Sequence, residues 1–356
     1  MTIDPDKLKL YSFQLFSKLD GAVTAGMVHL GDQLGLYEAM RTAGAPLSTA
    51  ELAERAGLHE RWVREWAYNQ AAAKLIDVDE HERFSLSPEA EAVLATPDHP
   101  AFGMGTFHRL PQTMESLLRV RESFVTGLGH NYDSHGPEGA AGIERSFEPW
   151  SNAHLLPTVL PALDGIVDRL TSGAVVIDIG CGAGSAVLLM AAAFPKSNFS
   201  GYDISHYALD RANQKREASG VANATFHDPR DSPMPADHSV DLVTTFDCIH
   251  DMTHPQQMME SIRDALAYDG TWLLVDIKAL DTFDQNVRKN PMASLMYGIS
   301  VLSCMSSALS EPDGAGLGTL GLSANTARQM SERAGFTRFR KLDVDHSVNA
   351  FYEVRP

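Results

Sequence analysis

Residues 174–205 read AVVIDIGCGAGSAVLLMAAAFPKSNFSGYDIS. Val175, Val176, Ile177 and Ile179 form a short, continuous apolar run, the pattern of a strand buried on both faces of a parallel sheet. Gly180, Cys181, Gly182, Ala183 and Gly184 follow at once. An apolar helix is expected over 186–194, stopped by Pro195. A second short strand over 199–202 ends on Asp203. The unit is βαβ with a glycine-rich first turn, the opening of a doubly wound α/β sheet.

Such a turn suits a ligand that carries a nucleoside. Glycines let the chain bend tightly and let a ligand come close to the main chain, and the helix beyond begins with unpaired N–H groups. Asp203 lies 19 residues past Gly184, at the carboxyl end of a strand, where a carboxylate accepts both hydroxyls of a ribose. A dinucleotide would ask for Gly-x-Gly-x-x-Gly/Ala with its pyrophosphate at the helix N-terminus. Here the third glycine comes one place early, and Ser185 holds the expected position. Asp178, two residues before Gly180, would repel a pyrophosphate and welcome an ammonium. The run D-I-G-C-G-A-G resembles the first motif of the class I S-adenosylmethionine-dependent methyltransferases, an acidic residue followed by Gly-x-Gly-x-Gly, met at Asp178, Gly180, Gly182 and Gly184. The resemblance implies a Rossmann-like sheet with an antiparallel last strand, S-adenosylmethionine as cofactor and S-adenosylhomocysteine as product.

Composition sets the surroundings. A chain of 356 residues exceeds one ordinary core, so two domains are expected. With 44% hydrophobic and 21% charged residues it reads as globular. No apolar run approaches the roughly 18 residues of a membrane span, and the N-terminus has no secretory pattern, so a cytoplasmic protein without membrane contact is expected. Cys181, Cys248 and Cys304 lie far apart without Cys-x-x-Cys spacing, which speaks against a disulfide framework and against a cysteine zinc site. A formal charge of −17 opposes a phosphate backbone.

Ahead of the nucleotide unit, residues 7–41 carry Leu8, Tyr11, Leu15, Phe16, Leu19, Val23, Met27, Leu30 and Leu34 at helical spacing, which predicts two helices of a largely buried bundle. Ser48 or Thr49 caps a short helix with Glu51 in its first turn, Gly57 ends it, and a longer helix runs over 60–74. Residues 75–78 and 83–86 read as a hairpin. Helix, turn, helix and a two-stranded wing make a winged helix over residues 1–97. Arg55, Arg61 and Arg64 could face a major groove, but Glu51, Glu54, Glu60 and Glu65 interleave with them and the wing tip is acidic, so nucleic acid is not the expected partner. O-methyltransferases that the chain resembles use this module to dimerise and to wall the substrate pocket, which implies a homodimer through it.

Residues 98–162 read as a connector and lid. A helix over 106–125 is broken early by Pro111, residues 127–142 read as a loop, and Phe147, Trp150 and His154 share one helical face. In similar enzymes an aromatic lid lies just ahead of the first motif, and π-faces favour a sulfonium; simple packing accounts for the stripe as well. The domain over 163–356 continues with a helix over 207–219 and a strand over 224–227 ending on Asp228 and Pro229. Further strands over 240–246 and 271–276 flank a helix over 261–268 capped by Gly270. The insert 277–322 is rich in Met and Tyr, with Met296 and Tyr297 as candidate substrate contacts. A last helix over 324–334 and a terminal hairpin close the chain. In related enzymes an acidic residue at the third strand accepts from the adenine amino group; Asp228 fits and Asp231 competes. Ile204 beside Asp203, and Phe246 and Asp247 at the end of the fourth strand, complete the expected cofactor set.

Ile249-His250-Asp251-Met252 resembles the apolar-His-Asp-Trp segment of the winged-helix O-methyltransferases, whose histidine is the general base. Met252 departs from that pattern. The resemblance implies His250 as base and Asp251 or Asp247 as the group that orients it, on a small aromatic or apolar hydroxyl acceptor. An imidazole suits that task at neutral pH, and a helix-start histidine satisfying a carbonyl is the plainer reading. Magnesium held by Asp247, Asp251 and Asp276 would suit a catechol-type enzyme, but those generally lack a winged helix, so no metal is expected. An N- or C-methyltransferase and a ligand-sensing winged-helix regulator are the alternatives.

Overall fold

The computed structural model describes residues 2–356. They divide into two compact units, one running up to Pro111 together with Arg145–Trp150, the other comprising Gln112–Glu144 and Ser151–Pro356.

The first unit opens with α1 (Pro5–Gln33) and α2 (Leu36–Ala43), then α3 (Thr49–Ala56) and α4 (Glu60–Ala72). Ser48 and Glu51 close a reciprocal capping box at the start of α3, and Gly57, at φ +66°, ends it. The wing is the two-residue pair β1 (Asp77–Val78) and β2 (Phe84–Ser85). Tyr37, Leu52, Trp66 and Phe84 fill the core, with the Tyr37 hydroxyl donating to Gln70 Oε1 at 2.6 Å. The expectation of a buried bundle fails for most of α1. Val28 and Gly31 are its buried residues, whereas Leu8, Tyr11, Leu15, Phe16 and Leu19 are all at least half exposed. Helical periodicity marks a stripe that seeks cover; it does not say that the same chain supplies it.

The second unit holds a seven-stranded sheet of β3 (Val175–Ile179), β4 (Asn198–Tyr202), β5 (Ala224–His227), β6 (Val240–Phe246), β7 (Leu266–Ile277), β8 (Arg338–Lys341) and β9 (Asn349–Arg355), in the order β5-β4-β3-β6-β7-β9-β8. The strands β3 to β7 run parallel and β9 is antiparallel to both of its neighbours. The strand order reverses beside β3, so the carboxyl ends of β3, β4 and β6 border a crevice where open α/β sheets bind ligands. Trp272, fully buried, anchors the core and donates its indole N–H to Thr245 Oγ1 at 3.0 Å.

Two local expectations are corrected. Residues 127–142 are not a loop throughout: Tyr132–His135 is a 3₁₀ turn and an α-helix spans Gly136–His154. Pro137 stands in that helix's first turn, where a missing N–H costs nothing. The helix expected over 261–268 is Pro255–Ala265, and β7 already begins at Leu266. Gly270 is no helix cap. A Cβ there would lie 3.1 Å from the Val240 carbonyl oxygen, so the glycine lets an irregular stretch of β7 pass close to β6.

Candidate active site

The glycine turn leaves β3 with three left-handed residues, Gly180 at φ +68°, Gly182 at +55° and Gly184 at +73°. They serve different ends. A Cβ at Gly180 would lie 2.6 Å from the Cys248 Cβ, and one at Gly184 would lie 2.4 Å from the Phe226 ring, whereas one at Gly182 would meet nothing within 4 Å. The outer two allow packing and the middle one faces open space. Asp203, at the end of β4, binds this turn: Oδ2 accepts the Gly182 N–H and Oδ1 the Ser205 N–H, both at 2.8 Å. Burial raises its carboxyl's pKa, and these amides oppose the rise.

Asp178 sits inside β3, 2% exposed, where Oδ1 accepts the Thr244 hydroxyl at 2.6 Å. Burial pushes its carboxyl up to about 7, against the Thr244 hydrogen bond and with the help of the Asp203 charge. Two buried carboxyls at the turn thus act on one another through their charge. This set of acceptors suits a ligand that brings positive charge and sugar hydroxyls.

A second cluster lies at the ends of β6 and β7. Asp247 follows β6 at φ +51°, a conformation a non-glycine residue adopts only when its surroundings enforce it; here the Asn349 amide donates to Oδ1 and the Asp247 N–H donates to the Val275 carbonyl. Burial pushes the Asp247 carboxyl to about 7, reinforced by Asp276. The next turn, Ile249–Asp251, buries His250, whose Nδ1 lies 2.6 Å from Asp276 Oδ1. Burial alone would lower the His250 pKa, but Asp276, and then the Cys304 thiol, outweigh it and raise it well above the ordinary imidazole value. Asp251, half-buried, is pushed to about 7 by burial, with His250 opposing. The ring is therefore held by Asp276, not by Asp247 or Asp251 as the sequence led us to expect. Asp276 belongs to β7, far from the His-Asp segment in the chain, and spacing alone could not select it.

The remaining expected residues are placed less centrally. Asp228 is bound by Arg230, whose guanidinium also donates to the Ile204 carbonyl; this pairing lowers the Asp228 pKa. Pro229 lies beside that pair, half-buried, and Phe246 ends β6. Met296 is half-buried, and Tyr297 is exposed with its ring 5.9 Å from that of Phe283. His154 ends its helix close enough to His346 to act on it electrostatically, and Trp150 belongs to the first unit. Thr244, Asn349 and Asp133 were missed. Asp133, whose Oδ2 lies 2.7 Å from His206 Nδ1, also raises the Asp203 pKa by its charge. No local pattern announced it.

A family model described as a methyltransferase domain matches residues 170–335, and one described as an Rv2258c-like winged HTH domain matches residues 22–96. The chain carries a methyltransferase domain behind a winged helix-turn-helix domain. Its fold is similar to that of the mitomycin 7-O-methyltransferase MmcR, with 18% identity and a TM-score of 0.70 over 99% of both chains. It is also similar to human N-acetylserotonin methyltransferase in complex with SAM, with 15% identity and a TM-score of 0.68 over 99% of this chain and 98% of that one. At these identities the likeness is one of fold. An uncharacterized protein of Rickettsia prowazekii (strain Madrid E) is 31% identical over 113 residues, 32% of this chain. The match spans only 20% of that curated relative's length. No helix among the described residues is long and apolar enough to cross a membrane.

Proposed function

We propose that the methyltransferase domain moves a methyl group from S-adenosylmethionine to the hydroxyl of a small aromatic or apolar acceptor, with His250 as general base. The observation that carries this reading is the buried His250–Asp276 pair, 2.6 Å apart, at the same strand edge as the glycine turn. Asp178 would receive the cofactor's ammonium and Asp203 its ribose, since each Asp203 oxygen keeps a lone pair after accepting its backbone amide. Ile204, Asp228 and Pro229 would border the adenine, with Arg230 sharing Asp228. Bound S-adenosylmethionine supplies an electrophilic methyl on a positive sulfur. The protein's part is to hold the acceptor oxygen in line, exclude water and take one proton. With Nδ1–H donated to Asp276, His250 offers Nε2 for that proton, and the Asp276 charge stabilises the imidazolium that forms.

Two further elements of the proposal concern partners. A second copy of the chain would cover the exposed apolar face of α1. Nucleic acid is not proposed, because on α4 Arg61 pairs with Glu65 at 2.6 Å and Arg64 with Glu60 at 2.8 Å. The test is calorimetry with S-adenosylmethionine and S-adenosylhomocysteine, followed by an acceptor screen. His250→Ala should bind the cofactor within a few-fold of the parent and lose about 100-fold or more in turnover. Undiminished turnover would remove His250 from the chemistry and point to an amine acceptor, which needs less help from a base.

A further inference from the structure

We propose that His250, Asp251 and Cys304 form a binding site for a thiophilic divalent ion of the zinc type, and that its occupation silences methyl transfer. An imidazole nitrogen, a carboxylate oxygen and a thiol sulfur, one from each residue, all lie within 4.8 Å of one another. They come from two elements, the turn Ile249–Asp251 and the first residue of the helix Cys304–Ala308. The three donor types are those zinc takes, at about 2.0–2.1 Å to nitrogen, about 2.0–2.2 Å to oxygen and about 2.3 Å to sulfur. An ion bonded to all three needs ligand atoms about 3.3–3.7 Å apart in tetrahedral geometry, a contraction within reach of side-chain rotation. Three protein ligands leave the fourth position open.

What lies behind the ligands strengthens the assignment. The Nδ1 side of His250 is engaged by Asp276 Oδ1 at 2.6 Å, which directs the other ring nitrogen to a metal, the arrangement that commonly orients a metal-bound imidazole. Asp276 is 1% exposed, and its Oδ2 has no hydrogen-bond partner among the described residues. Asp251 and the buried Asp276 thus bring two carboxyls to one imidazole, the oxygen-rich side of the site. Binding would release the thiol proton of Cys304, since the thiolate is the ligand.

The silencing, unlike the binding, rests on the reading of His250 as base: a nitrogen bonded to a metal has no lone pair for the acceptor's proton. Cobalt(II) reports the site directly. Titrating the whole chain with cobalt chloride under anaerobic conditions should give tetrahedral d–d absorption and a thiolate-to-cobalt charge-transfer band at one equivalent, both removed by zinc. Cys304→Ser should lose the charge-transfer band while melting as the parent does, and Asp276→Asn should bind zinc about 10–100-fold more weakly. No charge-transfer band in the parent, or a band that survives Cys304→Ser, overturns the site and leaves the base reading untouched. Zinc that binds with these signatures yet leaves methyl transfer unchanged overturns the silencing, and with it the role of His250.

Discussion

Asp178→Asn is expected to stabilise the ligand-free methyltransferase domain above pH 7 while weakening its hold on S-adenosylmethionine. The carboxyl is 2% exposed and accepts the Thr244 hydroxyl, and burial moves it from an ordinary 3.8 to about 7. Its folded value lies above its unfolded one, so the native state holds the proton more tightly. The stability from this group is complete below about pH 4 and is lost as pH rises toward 7. The loss is tenfold per pH unit across that window, on the order of 4 kcal/mol as an upper bound. Asparagine has the same shape, keeps an oxygen for the Thr244 hydroxyl and cannot ionise. Parent and variant should therefore differ least near pH 4.5 and separate progressively, with the variant higher at pH 8.

Cofactor binding should show the converse. If Asp178 meets the ammonium, the ionised form is the one that binds, and the parent's affinity rises with pH between 5.5 and 7, by up to about tenfold per unit. The variant should bind more weakly at pH 7 and show no such slope. Calorimetric melts at pH 4.5 and pH 8, with isothermal titration across the interval, measure both. A variant that melts below the parent at pH 8, or a slope that survives the substitution, would refute the assignment of Asp178 and the electrostatic argument beneath it.

Asp203→Ala should weaken cofactor binding about 10–100-fold, the scale of hydrogen bonds to a charged group, with a smaller effect on turnover at saturation; a larger loss in turnover than in affinity would count against the ribose assignment. Asp276→Asn should lower the His250 pKa, because the neighbour that raises it loses its charge. The base is free only above its own pKa, so the acid limb of the pH–rate profile should move to lower pH while turnover falls about 100-fold or more; an unmoved limb would dissolve the pair. Phe16→Glu places a charge in the exposed face of α1, where Phe16 is 66% exposed. If α1 is the seam of the proposed homodimer, sedimentation should report a dimer for the parent and a monomer for the variant, and equal masses for the two would refute that seam.

What the sequence disclosed and what it hid divide along physical lines. The unit from β3 to Asp203 was readable because each requirement is local: an apolar run for a doubly buried strand, glycines where φ is positive, a carboxylate at the next strand's end. The same was true of the Ser48–Glu51 cap, which spans one turn. The exposure of α1 was not readable, because a stripe such as Leu8, Leu15 and Leu19 looks alike whether or not the same chain covers it. Gly270 misled for a related reason. A glycine after an apolar helix commonly ends it, yet here the close approach of β7 to Val240 sets its identity.

The candidate site failed to declare itself wherever two distant segments supply one interaction. His250 and Asp276 are 26 positions apart, brought together by the register of a parallel sheet, so the sequence offered only the nearer Asp247 and Asp251 as partners. Cys304 is the sharper case. Three scattered cysteines exclude a ligand set drawn from one short motif, and the sequence reading stopped there. That rule concerns neighbours along the chain, whereas a metal or a base responds to neighbours in space. The insert after β7 returns its helix Cys304–Ala308 to the turn that carries His250, and a sulfur with no spacing signature arrives beside an imidazole already oriented by a buried carboxylate. On the proposed site, the chemistry of this edge depends on an insert that the sequence offered only as Met- and Tyr-rich substrate lining, and substitutions at Cys304 should alter metal binding without touching any recognisable motif.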